Sequence, residues 1–328
     1  MNGRWWVATA GPILLAACPS PEPDAASTGA STSTGETAST TGIASSSSEG
    51  TAADETTGSS TGGPGLPCNG HVELCDRPFD EVVFPGTHNS HSALDEGFPQ
   101  LNANQQHGIA QQLADGVRVM LIDVYPDEAD PDTVLMCHGP CSLASTPHLE
   151  GLGAIVGFLQ ANPREVLTII YEDHVAVEEL EEDFAVTGAD ALAFVHAPGQ
   201  PWPTLGEMIE ADARLVVTAE SGGPPPPWFH HVWDEAWDTP YGPMSAQELS
   251  CELNRGSPEH DLFLVNHWVN DAFGLPSMEN AAIVNASDVL LARAQECWRQ
   301  WDHAPNFLAI DFYEEGDLFA VVDALNGL

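Results

Sequence analysis

The sequence predicts an α/β fold, more narrowly a parallel-sheet barrel, from three observations. After residue 68, apolar runs of strand length alternate with segments of helical periodicity, the pattern of strands joined by helical crossovers. Each apolar run ends on a polar or ionisable residue. Such residues collect at the carboxyl ends of the strands of (β/α) barrels, where active sites are built. The 328 residues are enough for one large domain or two ordinary ones, and the 43% of them that are hydrophobic can build a sizeable core.

Seven apolar runs are predicted to be strands: 82–84, 117–122, 133–137, 166–171, 214–219, 262–265 and 307–310. Helices are predicted at residues 104–115, 151–161, 177–185, 204–211, 287–301 and 317–325. Gly116 closes the first helix, and Asn162-Pro163 ends the second. Thr204 and Glu207 form a predicted capping box at the start of the fourth. Seven strands fit an irregular barrel, or one with a strand that the pattern misses.

The first 66 residues are predicted to lie outside this fold. Residues 1–18 combine Arg4 with an apolar stretch too short to span a membrane, as in a signal peptide. They end in Leu15-Ala16-Ala17-Cys18, which resembles the lipobox of bacterial lipoproteins. We therefore expect an exported cell-envelope lipoprotein anchored through lipid on Cys18; the alternative is an ordinary signal peptide with release outside the cell. Residues 19–66 have the composition of a disordered tether, which leaves residues 67–328 as the folded domain.

The chain is strongly acidic. Eight basic residues, all arginine, face 49 Asp+Glu, for a formal charge of −41. Binding to nucleic acid requires clustered cations, so a nucleic-acid partner is not expected. We interpret the acidic surface as solubilising and expect a monomer.

Six cysteines follow the lipobox, and an even number in an exported chain favours disulfides over metal ligation. Local spacing predicts the pairs Cys68–Cys75 and Cys137–Cys141, which leaves Cys251–Cys297. No CxxC motif pairs with a second one, so a zinc site is not expected.

The polar residues at the strand ends indicate an enzyme. They are His88, Asp123, His138, Glu172, Glu220, Asn266/His267 and Asp311. A single polar residue at a strand end is more often structural. Seven of them, each at the end of a predicted strand, are much harder to explain by structural roles alone. Two histidines on one rim can serve as general base and general acid, and the amide and carboxylate oxygens suit Ca²⁺ or Mg²⁺. The common hydrolase and nucleotide-binding motifs are absent from the sequence, so we expect phosphodiester cleavage assisted by a cation.

Most of the polar strand-end residues belong to several longer motifs, which are Gly86-Thr87-His88-Asn89-Ser90, residues 116–123, Cys137-His138-Gly139, residues 162–166 leading into 172–174, and residues 305–313. Together these motifs resemble the X-domain of phosphatidylinositol-specific phospholipase C. The resemblance covers roughly residues 68 to 326. It implies a distorted TIM barrel with a single catalytic domain, and cleavage of phosphatidylinositol-type lipids through a cyclic inositol phosphate.

The resemblance also implies residue roles. His88 would be the general base on the inositol 2-hydroxyl and His138 the general acid for the diacylglycerol leaving group. Asp311, from the last strand, would orient His88.

The metal ligands follow the calcium-dependent members of the family. Asn89, Asp123 and Glu172 match their pattern, whereas the small bacterial enzymes carry an arginine where this chain has Asp123. Leu121 stands where the calcium-dependent eukaryotic enzymes have a further Glu, and Glu220 is the expected replacement. The chain has no lysine and few arginines, so phosphates on the inositol ring would find no clamp. Phosphatidylinositol itself, a glycosylated form or another phosphodiester fits better.

Two alternatives remain open from the sequence. A glycerophosphodiesterase or a sphingomyelinase-D-like enzyme would use two histidines and an acidic metal cluster on the same barrel. A degenerate X-domain could instead act as a surface binding module, although the presence of both His88 and His138 argues against it.

Overall fold

Eight parallel strands curl around a shared interior in the computed structural model of the chain, which describes residues 65–328. In chain order the strands are β1 (Phe84–Thr87), β2 (Val119–Pro126), β3 (Val134–Met136), β4 (Thr146–Pro147), β5 (Leu167–Asp173), β6 (Leu215–Ala219), β7 (Phe229–His231), β8 (Ala236–Asp238), β9 (Leu262–His267) and β10 (Phe307–Ile310). The parallel strands are neighbours in the order β7-β6-β5-β2-β1-β10-β9-β8. Within residues 65–328 no pairing joins β7 to β8, so the predicted barrel is confirmed in a distorted form, open on one side.

Helices cover the outside of the curled sheet. They are α1 (Ile109–Asp115), α2 (His148–Ala161), α3 (Val177–Thr187), α4 (Leu205–Glu210), α5 (Met278–Val284), α6 (Ser287–Trp301) and α7 (Leu318–Asn326). Buried residues of α1, α2, α3, α6 and α7 form one apolar cluster with the outward-facing strand residues. The predicted capping box is present at α4, where Thr204 accepts a hydrogen bond from the Glu207 backbone.

Strand residues alternate between this helix-covered outside and the interior of the sheet, because successive side chains project to opposite faces. On β10, Leu308 joins the cluster under the helices, whereas Phe307 and Ala309 join a second cluster inside the sheet. The second cluster fills the amino-terminal end of the strands. The same alternation turns Asp311, the residue after β10, toward the interior at the carboxyl end. The interior is therefore apolar at one end and polar at the other.

Strand β1 begins where the predicted run of 82–84 ends. Pro85 and Gly86 lie within β1, so the strand extends beyond the end predicted at residue 84. Gly86 is favoured because a Cβ atom there would lie 3.2 Å from Val119 Cβ and 3.3 Å from the Leu308 carbonyl oxygen, which is tighter than usual Cβ contacts. Close contact between neighbouring backbones explains the glycine.

Four further elements differ from prediction. The helix expected over 104–115 begins only at Ile109, because side-chain amides of the preceding segment bind other strands and loops. Strands β7 and β8 were missed because three residues are too few to show a period. Helix α5 was not predicted.

The third predicted strand does not belong to the parallel barrel. β3 pairs antiparallel with the end of β2, and β4 pairs antiparallel with β3. We call these two strands and the loop between them, residues 134–147, the β3–β4 arm. His138 lies on this arm, so the prediction that it ends a barrel strand is wrong. A short apolar run predicts a strand without predicting the direction in which it pairs.

The three predicted disulfides are present, at Cys68–Cys75, Cys137–Cys141 and Cys251–Cys297. The predicted signal peptide and lipobox at residues 1–18 lie outside the described residues, as does the tether at 19–66 except for its last two residues. Within residues 65–328, no helix is both long enough and apolar enough to span a bilayer.

Candidate active site

The register of β1 and β10 brings His88 and Asp311 together. Thr87 is paired with Ile310, so His88 and Asp311 are the next residues on two adjacent strands. Nδ1 of His88 lies 2.8 Å from Oδ1 of Asp311. The Asp311 side chain is 3% exposed and the His88 side chain 21%, so the carboxylate is shielded while the ring reaches solvent. The contact expected between a base and its orienting carboxylate is thus present.

Two residues that the sequence analysis missed hold this pair in place. Asn104 donates from Nδ2 to both carboxylate oxygens of Asp311, at 3.1 Å each. Trp268, just beyond β9, stacks on the His88 ring with centroids 3.8 Å apart and planes 7° apart. An Nδ1–H directed at Asp311 leaves Nε2 of His88 as the acceptor that a general base needs. Asn104 was hidden by the incorrect helix prediction, whereas the inward parity of β9 was a usable signal for Trp268.

His138 reaches the same region from the β3–β4 arm. Its ring centroid lies 6.4 Å from that of His88. Nδ1 of His138 lies 2.9 Å from the backbone oxygen of Asn102, and Asn102 Nδ2 donates back to the backbone oxygen of His138 at 2.9 Å. With Nδ1–H bound to that carbonyl, Nε2 of His138 is left for a ligand. Burial lowers the pKa of His138, and the neighbouring His88 lowers it further.

Three carboxylates face the two histidines because neighbouring strands end in register. Asp123 on β2 is paired with Glu172 on β5, and Glu220 follows β6 with its N–H bonded to the Tyr171 carbonyl. Burial raises the pKa of Asp123, and the charges of Glu172 and Glu220 raise it further. Burial also raises the pKa of Glu220, to about 7. This concentration of negative charge favours a bound cation.

An arginine enters the acidic cluster. Arg255 donates from Nη1 to Oε2 of Glu220 and from Nη2 to Oδ2 of Asp238, both at 2.6 Å. Its guanidinium also lies 4.2 Å from the ring centroid of Trp233 and 5.0 Å from that of Tyr241. The ion pair occupies the Glu220 carboxylate that we expected to complete the cation site. The sequence carries no signal that places Arg255 beside Glu220.

Asn89 lies between the base and Asp123. One end of its side-chain amide is 2.9 and 3.1 Å from the two Asp123 carboxylate oxygens. In the nitrogen-inward orientation the amide nitrogen faces Asp123 and donates to both of its carboxylate oxygens. In the oxygen-inward orientation the nitrogen donates to Asn104 Oδ1 at 3.2 Å, and the amide oxygen converges with the two oxygens of Asp123.

In the absence of a cation the nitrogen-inward orientation is favoured, because it alone satisfies both ends of the amide. Three converging oxygens repel one another, so the amide oxygen would turn toward Asp123 only around a bound hard divalent ion. Within residues 65–328, no group of three or more His, Cys, Asp or Glu side chains forms a metal site by itself. The Asn89 amide and water would therefore have to complete the ligand shell.

The remaining predicted strand-end residues, Asn266 and His267, are structural. The Asn266 amide donates to Asp238 Oδ2 at 3.0 Å and to the Thr239 carbonyl at 2.6 Å. His267 has outward parity and lies under the helices, where Nε2–H donates to the Val284 carbonyl at 2.9 Å. Burial lowers the pKa of His267 to about 3, so the ring is neutral.

One cleft of about 380 Å³, part of it open to solvent, is lined by His88, Trp268, Arg255 and the three carboxylates Asp123, Glu172 and Glu220. His138 lies beside this cleft, with its ring centroid 6.4 Å from that of His88. A larger cleft of about 720 Å³ lies around Arg118 and Phe319 at the amino-terminal end of the strands. Barrel enzymes place their chemistry at the carboxyl end, so we assign the candidate active site to the smaller cleft.

A family model described as PI-PLC X 1 matches residues 74–326, most of the chain. The chain belongs to the PI-PLC X family. Both histidines, Asp311 and the three carboxylates of the cleft lie inside the matched range. The family resemblance stated from the motifs is thereby confirmed.

Relatives in fungi and plants share the PI-PLC X domain. A PI-PLC X domain-containing protein of Arthroderma benhamiae is 30% identical over 283 residues, covering 80% of this chain and 90% of the relative. A PI-PLC X domain-containing protein of Arabidopsis thaliana is 30% identical over 277 residues, covering 76% of this chain and 63% of the relative. An uncharacterized secreted protein of Arthroderma benhamiae is 25% identical, covering 80% of this chain and 64% of the relative. The chain thus spans just under two thirds of the last two.

Solved structures of bacterial enzymes share the PI-PLC X fold. The phosphatidylinositol-specific phospholipase C of Listeria monocytogenes superposes with a TM-score of 0.52 at 15% identity, covering 77% of this chain and 94% of that one. The Staphylococcus aureus enzyme superposes with a TM-score of 0.55 at 14% identity, covering 77% and 95%. At these identities the likeness establishes the fold alone.

Proposed function

We propose that this PI-PLC X chain cleaves the phosphodiester bond of phosphatidylinositol-type lipids by general acid–base catalysis. The observation that carries the proposal is a pair of imidazoles with ring centroids 6.4 Å apart, one of them on the cleft with a buried carboxylate behind it. Two rings at this separation can reach different oxygens of a single phosphodiester.

His88 is the general base. Its Nε2 takes the proton from the inositol 2-hydroxyl while that oxygen attacks phosphorus and forms a cyclic inositol phosphate. Asp311, 2.8 Å from Nδ1, stabilises the imidazolium that results. Trp268 keeps the ring plane fixed by stacking on it.

His138 is the general acid. As the bond from phosphorus to the diacylglycerol oxygen breaks, Nε2 of His138 gives that oxygen a proton. The lowered pKa makes His138 a stronger acid than an ordinary histidine, which suits proton donation. Its protonated form is correspondingly scarcer as the pH rises, so turnover should decline on the alkaline side.

We further propose that Asn89, Asp123 and Glu172 hold a divalent cation, Ca²⁺ before Mg²⁺. Such a cation would neutralise a non-bridging phosphate oxygen and lower the pKa of the attacking hydroxyl. Support comes from the convergence of the Asn89 amide on Asp123 and from the excess of buried negative charge. Glu220 stays outside this ligand set because Arg255 already binds its carboxylate.

The substrate ring should be unphosphorylated. Among the described residues that line the cleft, Arg255 is the one permanent cation, and Glu220 and Asp238 neutralise it. Added ring phosphates would meet carboxylates without a compensating positive charge. Phosphatidylinositol or a glycosylated form is the better fit.

We also propose that the chain is exported and anchored through lipid on Cys18, acting as a monomer on membrane phospholipid without a nucleic-acid partner. The secreted relative in Arthroderma benhamiae supports export. Metabolic labelling with a radioactive fatty acid tests the anchor. A Cys18→Ala variant that still carries label contradicts it.

The decisive experiment measures headgroup release across a phospholipid panel, including sphingomyelin and glycerophosphodiesters, with EGTA or with added Ca²⁺. We expect release from phosphatidylinositol, loss with EGTA and recovery with Ca²⁺. The variants His88→Ala and His138→Ala should each lose at least ~100-fold in kcat, the usual contribution of a general acid or base. His71→Ala, at a partly exposed histidine paired with Asp323, is the matched control and should keep its rate.

Each outcome tests a different part of the proposed function or supports one of its alternatives. Full activity in either cleft variant refutes the assigned roles, and indifference to chelation refutes the cation. Release only from glycerophosphodiesters or sphingomyelin supports another phosphodiesterase on this barrel. Lipid binding without any turnover supports a binding module.

A further inference from the structure

We infer that the Cys137–Cys141 disulfide positions the general acid, so that this cross-link serves catalysis directly instead of supporting the fold in general. The inference deepens the proposed function and rests on the role assigned there to His138. The observation behind it is an asymmetry between the two histidines of the cleft.

His88 is built on the barrel itself. Its backbone N–H donates to the Ile310 carbonyl at 2.9 Å, which continues the pairing of two central strands. Asp311 also binds Nδ1 of the ring, and Trp268 stacks on the face of the ring. Sites on strands and helices are held more precisely than sites on loops, so the base requires no further support.

His138 has no comparable support from the barrel. It lies in the loop of the β3–β4 arm, directly after Cys137, and Gly139, Pro140 and Leu143 in the same loop are exposed. Its two hydrogen bonds to Asn102 reach another irregular segment, between β1 and α1. Neither side of that contact is a barrel strand.

The disulfide supplies the missing constraint. Cys137 is fully buried beside the end of β3, and the bond to Cys141 closes a ring of five residues that contains His138. Without it, the chain from Met136 to Thr146 is a single loop of nine residues carrying the acid. A shorter closed loop has fewer conformations, so the imidazole spends more of its time facing the cleft.

Leaving-group chemistry separates this role from a general effect on stability. An alkoxide leaves phosphorus slowly unless it is protonated, whereas an aryl oxide leaves readily without an acid. Loss of His138 positioning should therefore slow the alkyl substrate and spare the aryl one. Partial unfolding would slow both equally.

The test uses the full chain and two soluble inositol phosphodiesters, one with an alkyl and one with an aryl leaving group. For Cys137→Ala/Cys141→Ala we expect kcat on the alkyl ester to fall ~10–100-fold, the scale of a misplacement near 1 Å, with the aryl rate within ~3-fold. His138→Ala sets the full size of the effect. Cys68→Ala/Cys75→Ala is the matched control, since that disulfide lies by the inner apolar cluster at the other end of the barrel.

The inference is overturned if His138→Ala shows the leaving-group effect and Cys137→Ala/Cys141→Ala does not. A His138→Ala variant without the effect refutes the acid role in the proposed function. A wild-type chain that cleaves neither ester refutes that function, and this inference with it. If the double variant does not fold, mild reduction of the folded wild-type chain, with alkylation and mass mapping of each cysteine pair, repeats the comparison with the same criteria.

Discussion

Replacing Asp311 by Asn removes one charge from the candidate active site and leaves its shape almost unchanged. The carboxylate is 3% exposed and bonds His88 Nδ1 at 2.8 Å. Asn104 binds both of its oxygens at 3.1 Å, so an amide in the same place keeps a partner. The variant should therefore fold, and its effect should fall on the base.

Two effects set the size of the loss. A hydrogen bond to a charged group contributes about 1.5–3 kcal/mol, which corresponds to ~10–150-fold in rate if it acts only when His88 becomes an imidazolium. The tautomer adds to this, because Asn104 Nδ2 also lies 3.3 Å from His88 Nδ1 and would donate to it. Nε2 would then carry the proton and could not act as a base. The same loss of the correct tautomer costs up to ~10⁴-fold when the aspartate of a Ser-His-Asp protease triad is replaced by asparagine. We expect kcat/KM to fall ~10²–10⁴-fold.

The assay is kcat/KM on a soluble inositol phosphodiester across pH, with thermal unfolding recorded for each variant. Asp323→Asn is the matched control, since it removes the carboxylate 3.3 Å from His71 while 46% of the Asp323 side chain is exposed. That variant should keep its rate within ~2-fold. A loss of less than ~5-fold in Asp311→Asn, with the fold intact, would refute the role of the carboxylate.

Two further predictions concern stability. Arg255→Leu leaves its two carboxylate partners unpaired and should lower the free energy of unfolding by ~3–5 kcal/mol at pH 7.5, measured in urea. The deficit should shrink at pH 5, because protonation removes the unpaired charge. His91→Leu should be neutral or stabilising at pH 7, since His91 is 2% exposed and its ring makes no hydrogen bond of good geometry in the described structure, only a weak contact with the Cys137 backbone. Burial lowers the pKa of His91 to about 3. Because the unfolded chain binds a proton at this residue below about pH 6.5 and the folded chain does not, the wild type loses stability as the pH falls from 6.5 toward 3. The free energy of unfolding of the variant should therefore exceed that of the wild type by ~2–3 kcal/mol at pH 4.5.

Each of these predictions has a matched control. Arg299→Leu, at an exposed position on α6, should change unfolding by less than ~0.5 kcal/mol. If Arg255→Leu unfolds with the same free energy as the wild type, the carboxylates of Glu220 and Asp238 must remain solvated, and the prediction is wrong. For His91 the control is His71→Leu, at a partly exposed ring, which should not alter the pH dependence. Parallel pH curves for His91→Leu and the wild type would contradict the buried, neutral state.

The meeting of His88 and Asp311 at one rim could largely be predicted from the sequence. His88 and Asp311 each follow an apolar run, and parallel strands bring their carboxyl ends to one rim whatever their order in the sheet. Asp123 and Glu172 follow from the same rule. Period-two alternation also indicates which residues face inward, so Asp311 points into the cleft while His267, with outward parity, packs under the helices.

The sequence by itself determined most of the strands and helices, the disulfide pairs and the chemical types that meet at the rim, because these depend on local periodicity and spacing. Only the tertiary structure decided that β3 pairs antiparallel and carries His138 on an arm, and that Arg255 neutralises Glu220 from 35 residues away. It alone placed Asn104 against Asp311, and it showed that Trp268, whose inward direction the parity of β9 indicates, stacks on His88. Such contacts depend on the register and direction of segments distant in the chain, which no local pattern encodes.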